Sequence, residues 1–471
     1  MKHLLSLLSI GFLTTVSMAD VFIDHELDPV PLVEIQVVLP RGFEADSPAE
    51  VGLGNLIPEI LEEGTITMNR EAFKAALAQF GASQAFEMGN LYSTWKLTFP
   101  FVEGKDYEKL ISIVETNWKQ PRFLDDAFKK ALFKFKANLQ ASLDRDFALA
   151  SGAARRFVNL HHFGGDPAFI ESFDRIKLKD VEAHFVTKVR AVKNVWIGVI
   201  APDAQMPLVE KLVGRVFSTQ GKVVKGQRFE RMRTEHRVRS AQNVNQKTVI
   251  IVDKPERNQS VTLTMAVRPK EIQPEEELAY FVGSHIFFDS GLGSVFADEI
   301  RNKQGLAYAV GSGGGGYLTY PMISLSMNPL KDKSDAAFKT ANAIFERGYA
   351  SDALIKELPG SVWNNFLQSF RYQRALQRAT PTGRLSERQS VVVGGMSEQF
   401  FKSSNRDWTL TRKALSKQLQ ALYKDSVKVV AIVGSAEMLR PLVKMNFPEH
   451  RVLVIPYQKS LSKDGYALTF E

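Results

Sequence analysis

Between Val51 and Thr65 the chain reads VGLGNLIPEILEEGT, and its apolar residues Leu53, Leu56, Ile57, Ile60 and Leu61 recur at helical spacing. Gly64 marks the stop. Pro58 interrupts the run. An interior proline removes one backbone hydrogen bond and crowds the preceding turn, at a cost of roughly 3 kcal/mol. Asn55 and Glu59 flank it one turn apart, so two polar residues share one face around a proline. That face reads as a position that once held something else.

The same reading organises the rest of the chain. Pro31 to Pro40 and Asn90 to Pro100 alternate as strands. Asn69 is placed to cap a helix that Gly81 stops. Apolar periodicity predicts helices from Tyr107 to Trp118 and from Asp125 to Arg145. Lys193 to Phe217 reads as strand, turn and helix, and Val427 to Phe447 repeats that unit. Each copy follows a helix, near Val181 to Val189 and near Leu410 to Tyr423. One unit closing each half predicts a duplicated domain. The expected class is α+β: two homologous αβ-sandwich domains, with mostly antiparallel sheets and helices packed on one face. The N-terminal domain is expected over residues 20–217 and the C-terminal one over 247–471. The polar, aperiodic stretch from Ser218 to Gln246 between them reads as a linker.

Composition narrows the function. A chain of 471 residues is too long for one core. A net charge of +8 is modest at that length, and the densest basic run, Lys225 to Arg239, also holds Glu230 and Glu235. Nucleic-acid binding is not indicated. Lys2, the apolar stretch from Leu4 to Val16 and Ser17-Met18-Ala19 have the layout of a signal peptide over residues 1–19. No later run is long and apolar enough for a transmembrane segment. With no cysteine there is no disulfide, thiolate catalysis or cysteine-ligated metal. An exported chain without disulfides fits a bacterial periplasm.

Common catalytic signatures are absent. There is no phosphate loop and no nucleophile elbow. Gly311 to Tyr317 is glycine-rich but runs into strand-like residues, as at a sheet edge. The eight histidines form no helical His-x-x-x-His pair, and the adjacent His161 and His162 read as loop residues.

Three stretches together resemble the pitrilysin/insulinase family of zinc peptidases, the inverzincins. They are PRGFEADSPAEVGLGNLIPEILEEGT, the looser GASQAFEMGNLYSTWKLTFP, and GLGSVFADEIRNKQGLAYAVGS from Gly291 to Ser312. The family frames a His-x-x-Glu-His helix with Gly-Leu-Ala before and Gly-Thr after. Here Gly52-Leu53-Gly54 and Gly64-Thr65 supply the frame. The resemblance spans the mature chain and implies two domains per subunit.

Within the frame the chemistry has changed. The family's two zinc-binding histidines fall on Asn55 and Glu59, and its catalytic glutamate on Pro58. Its distal glutamate ligand falls on Asn138, beside Ala137. A catalytic zinc site needs three protein ligands and a water. One carboxylate and two neutral amides do not supply them, and proline cannot act as a base. No metal and no cofactor is therefore expected in this chain. The second half keeps the family's arginine and tyrosine seven residues apart, at Arg301 and Tyr308. There the resemblance implies substrate binding, with Gly305 ending the helix between them.

Some members of the family work as heterodimers in which one subunit holds zinc. By that resemblance this chain is expected to pair with a homologous zinc-bearing subunit and lend it Arg301 and Tyr308 for peptide hydrolysis. The alternative is a homodimeric pseudoenzyme that binds peptides or an assembly partner without cutting. A peptidase with an unconventional metal site is a third reading. The peptide substrate is not legible.

Overall fold

The computed structural model describes residues 21–161, 169–192, 195–217, 223–225, 247–269, 272–273, 276–289, 294–315, 322–348, 355–356, 358–396, 411–424 and 426–466. The expected signal peptide lies outside the described residues. So does the expected linker, apart from Val223–Lys225, which form a strand.

The first half contributes β1 (Val21–Leu27), β2 (Leu32–Leu39), β3 (Ser83–Met88), β4 (Ser93–Pro100), β5 (Val195–Ala201) and β6 (Val223–Lys225). Its helices are α1 (Leu53–Glu62), α2 (Arg70–Ala78), α3 (Tyr107–Lys119), α4 (Asp125–Ala141), α5 (Asp146–His161), α6 (Ile170–Asp174), α7 (Leu178–His184) and α8 (Met206–Val216). The second half contributes β7 (Thr248–Asp253), β8 (Thr262–Arg268), β9 (Ala307–Gly315), β10 (Met322–Pro329), β11 (Val427–Gly434) and β12 (Arg451–Pro456). Its helices are α9 (Glu277–Ser284), α10 (Val295–Ala297), α11 (Ser334–Gly348), α12 (Gly360–Ala379), α13 (Pro381–Val392), α14 (Arg412–Tyr423) and α15 (Ala436–Asn446).

The strand orders are β3-β4-β2-β5-β1-β6 and β12-β7-β11-β8-β10-β9. Reversed, the second repeats the first strand for strand. The pairing directions repeat as well. The three pairings nearest β3, and the three nearest β9, are antiparallel; the remaining two in each sheet are parallel. The duplication expected from the two strand-turn-helix units is thus a duplication of a whole six-stranded sheet.

Each half packs its own helices on one face of its sheet. The first core gathers Leu56, Ile60, Phe73, Leu110 and Val114 against Trp95 and Leu97. The other face is covered from across the molecule. Leu149, Ala150, Ala153 and Phe157 of α5 pack on Ile250, Ala266 and Val429 of the second sheet. In return Leu385 and Val392 of α13, with Val393, pack on Val38, Trp196 and Ile200 of the first. Ion pairs follow the exchange: Asp146 meets Lys254 at 3.1 Å, and Arg384 meets Glu26 at 2.8 Å. Central strands with both faces covered need apolar residues throughout. β5 and β11 are accordingly buried along their full length, whereas β10 alternates.

Local signals match in most places. Asn69 Oδ1 accepts the backbone N–H of Ala72, which caps α2. Gly64, past the end of α1, has φ +106°, a conformation that favours glycine. Three expectations shift. The helix expected to reach Arg145 ends at Ala141 and gives way to a 3-10 turn over Ser142–Asp144. Val189 closes a π turn, Phe185–Val189, that follows α7. His161 is the last residue of α5, while His162 lies outside the described residues.

Candidate functional site

α1 forms despite Pro58, because its apolar face is secured by burial. Leu53, Leu56, Ile57, Ile60 and Leu61 are all buried. Asn55 and Glu59 stay half-buried on the remaining surface, and Glu59 faces α4. Glu59 Oε2 accepts a hydrogen bond from Lys134 Nζ of α4 at 2.6 Å. One turn on, Glu63 pairs with Lys130 of α4 and with Arg70, both at 2.9 Å. Burial pushes the Glu63 carboxyl up, but the hydrogen bonds from Lys130 and Arg70 outweigh it and hold it below its usual value. Asn138 and Ala137 are exposed on α4, with Lys134 one turn before Asn138.

These residues do not fit a zinc ion. Asn55 offers a neutral amide, Pro58 no donor, and Glu59 a carboxylate already engaged by an ammonium group. A dication brought to Glu59 would meet the like charge of Lys134. Among the described residues, no group of three or more His, Cys, Asp or Glu side chains is arranged to hold a metal.

On another side of α1, Pro58 lines a cavity of about 300 Å³. Leu61, Phe73, Leu77, Gln84 and Phe86 share the wall, so α1, α2 and β3 form the sides of a half-open pocket. Gln84 Nε2 donates to Asn117 Oδ1 at 2.6 Å, while the buried Gln84 Oε1 has no hydrogen-bond partner. β3 ends its sheet, so its outer edge has no strand neighbour among the described residues. An open edge beside a cavity of mixed lining, with Glu62, Lys74 and Gln84 among its apolar walls, suits an extended peptide whose backbone pairs with the strand and whose side chain enters the cavity.

The second half brings Arg301 and Tyr308 together. Ser294 Oγ accepts from Ala297 N and starts α10, which runs into a π turn over Asp298–Lys303. Gly305, at φ +58°, reverses the chain, and Leu306 N donates back to Ile300 O at 2.8 Å. β9 then starts at Ala307. The result sets the Arg301 guanidinium over the Tyr308 ring, 4.6 Å from its centroid. Tyr308 is 81% exposed, more than any other large apolar or aromatic side chain among the described residues. Arg301 makes no hydrogen bond or ion pair among the described residues, so its donors remain available. Stacking on the ring restrains the fork without using those donors.

The residue types on α1 and α4 were noted from sequence, but the Lys134–Glu59 contact was not anticipated. A signal for it existed: Glu59 on α1 and Glu63 just past its end stand four residues apart, as do Lys130 and Lys134 on α4. The cavity had no signal: its wall comes from three consecutive elements, α1, α2 and β3, and the spacing of apolar residues does not say how they pack together.

Residues 195–351 match the family model of the peptidase M16 inactive domain, a span that includes Arg301 and Tyr308 and excludes Asn55 to Glu59. No curated protein matches the chain. A peptidase M16 inactive domain from Pseudomonas fluorescens has a similar structure, with TM-score 0.69 at 17% identity over 88% of this chain and 95% of that one. A protease from Helicobacter pylori gives TM-score 0.65 at 12% identity, over 87% of this chain and 96% of that one. The periplasmic protease PqqL from Escherichia coli gives 0.63 at 10% identity, over 86% of this chain and 43% of that one. At these identities the likeness shows a shared fold.

Proposed function

We propose that this chain, a catalytically incomplete M16-type peptidase-like protein of the pitrilysin/insulinase kind, pairs with a zinc-bearing homologue and completes its peptide site. The observation that carries the reading is the contrast between the halves. The Lys134–Glu59 ion pair stands where the resemblance would put a metal, while Arg301 stands with free donors over the exposed Tyr308. In the pair, Arg301 would donate its N–H groups to a peptide carbonyl, and the Tyr308 hydroxyl would stabilise a developing oxyanion. The zinc that activates water would belong to the partner. The periplasm is the proposed compartment. The sequence layout of residues 1–19 and the structural likeness to a periplasmic protease of Escherichia coli support it. No helix among the described residues is long and apolar enough to cross a membrane.

The experiment is reconstitution with a homologue that carries intact His-x-x-Glu-His. The pair is expected to form a complex and cleave unstructured peptides that neither chain cleaves alone. Full activity of the homologue by itself would overturn the reading.

A second reading, a homodimeric peptide-binding protein without catalysis, is favoured by the cavity beside the open edge of β3. Micromolar binding of extended peptides by this chain alone, abolished by Ala85→Pro on the edge strand, would support it. Peptide binding seen only in the heterodimer would count against it.

A further inference from the structure

The loop from Arg41 to Gly52 leads into α1 and is held by a buried polar cluster. Arg41 Nη2 donates to Asp46 Oδ1 at 2.8 Å, and Arg41 Nη1 to Ala45 O at 3.3 Å. Ser93 Oγ donates to Arg41 O at 2.6 Å, and Phe43 N to Gly89 O at 3.0 Å, so the loop also rests on the β3–β4 turn. His184, at the end of α7, reaches into the cluster from the other side. Its Nε2 lies 3.7 Å from Asp46 Oδ1 and its Nδ1 3.8 Å from Glu50 Oε1. The His184 side chain is 1% exposed and that of Asp46 2%, yet neither ring nitrogen has a hydrogen-bond partner. Buried polar atoms are usually satisfied. A buried imidazole between two carboxylates, near both but hydrogen-bonded to neither, leaves its protonation to be set by burial and the neighbouring charges.

We propose that Asp46 and His184 form a proton-exchanging pair that keeps the loop Arg41 to Gly52 seated on α7 equally well in acid and at neutral pH. With the loop open to water, near pH 5 to 6, a histidine is protonated and an aspartate ionised, so the pair carries one proton. Seated, the pair again carries one proton. Burial pushes the Asp46 carboxyl up to about 7 against the pull of Arg41. Burial likewise pushes His184 down to about 4, and Arg41 and Lys188 push the same way while Glu50 opposes. Equal proton numbers in the two states mean no pH dependence of the equilibrium between them. The count holds whichever partner carries the proton in the seated state.

The charged groups facing the pair are Arg41 and Glu50 from the loop and Lys188 from the π turn after α7. Arg175, from the segment after α6, reaches the loop at Pro48 O. Glu50 stays ionised: burial pushes it up, but hydrogen bonds from Ser47 and the nearby cations hold it below its usual value.

Either partner alone should expose a slope, and the slopes have opposite signs. In His184→Gln the remaining Asp46 favours its proton in the seated state, so seating weakens as pH rises from 4 toward 7. In Asp46→Asn the remaining His184 binds its proton better in the open state, so seating weakens as pH falls from 6.5 toward 4. Burial leads both shifts, so each direction survives loss of the other group. The measurement is amide hydrogen exchange of residues 41–52 in the full chain, corrected for the intrinsic pH dependence of exchange. The wild type is expected to be flat between pH 4.5 and 6.5, and each variant to change its opening equilibrium by about tenfold per pH unit in its own direction. A sloped wild type, or flat profiles in the variants that fold, would overturn the proposal. If one variant fails to fold, the wild type and the other variant decide.

Discussion

Lys134 Nζ donates to Glu59 Oε2 across 2.6 Å, and this contact joins α4 to α1 where the sequence resemblance places a metal. An ammonium group can bridge two helices as a metal does, but it polarises no water. The partly exposed setting also limits its worth. Exposed ion pairs contribute about 0 to 1 kcal/mol. Lys134→Ala should therefore lower stability by less than about 1 kcal/mol, read from the denaturant midpoint at unchanged slope. A loss of several kcal/mol would show that the pair has replaced the metal as an essential cross-link.

Metal content is the next test. Asn55, Pro58 and Glu59 give one carboxylate, and Lys134 already engages it. The purified chain should hold no stoichiometric zinc after mild chelation and should leave unstructured peptides uncut. Elemental analysis near one zinc per chain would overturn this expectation. Lys134→Ala should not create a site, because Asn55 and Pro58 still supply no strong ligand.

The exchanged helices make each half depend on the other. Ala150 and Ala153 of α5 are fully buried, and these small residues let the helix lie close to the second sheet. Ala153→Leu overfills that contact and should cost about 1 to 3 kcal/mol. Residues 20–217 alone would lack the α13 cover on their sheet, and residues 247–471 would lack α5. Each piece should bind a hydrophobic dye and unfold without a sharp transition, whereas the full chain unfolds once. A cooperative transition in either isolated piece would refute the dependence.

How much of this was readable depended on distance along the chain. α1 was legible because its apolar spacing and Gly64 stop are local, and Pro58 did not break a helix whose apolar face is buried. The Asn69 cap was legible for the same reason. The strand-turn-helix repeat led to the duplication, although it showed two strands and the described residues form twelve. The exchange of α5 and α13 was not legible. Periodicity says that a helix has an apolar face and does not say which sheet the face covers. The full-length burial of β5 and β11 carried a hint, since continuous apolar strands imply cover on both sides. Arg301 and Tyr308 were singled out by resemblance, and the structure places them in contact. The cluster around His184 was missed, because its members come from segments about 140 residues apart.

The stacked pair offers the most direct functional test. Arg301 lies 4.6 Å from the Tyr308 ring centroid, with Arg301 on the π turn and Tyr308 at the start of β9. Tyr308 is largely exposed, so Tyr308→Phe removes a hydroxyl without opening a cavity. Arg301→Ala removes a group that bonds no other described side chain. Both variants should fold and assemble as the wild type does. If the pair serves the partner's site, turnover should fall, since losing one preorganised oxyanion donor typically costs about 100- to 1000-fold in rate. Asn55→Ala is the control and should change little, because no ligand or base stands there. The measurement is peptide cleavage by the reconstituted heterodimer, with complex formation checked by size. Unchanged rates in both the Arg301 and Tyr308 variants would leave peptide binding without catalysis as the better reading.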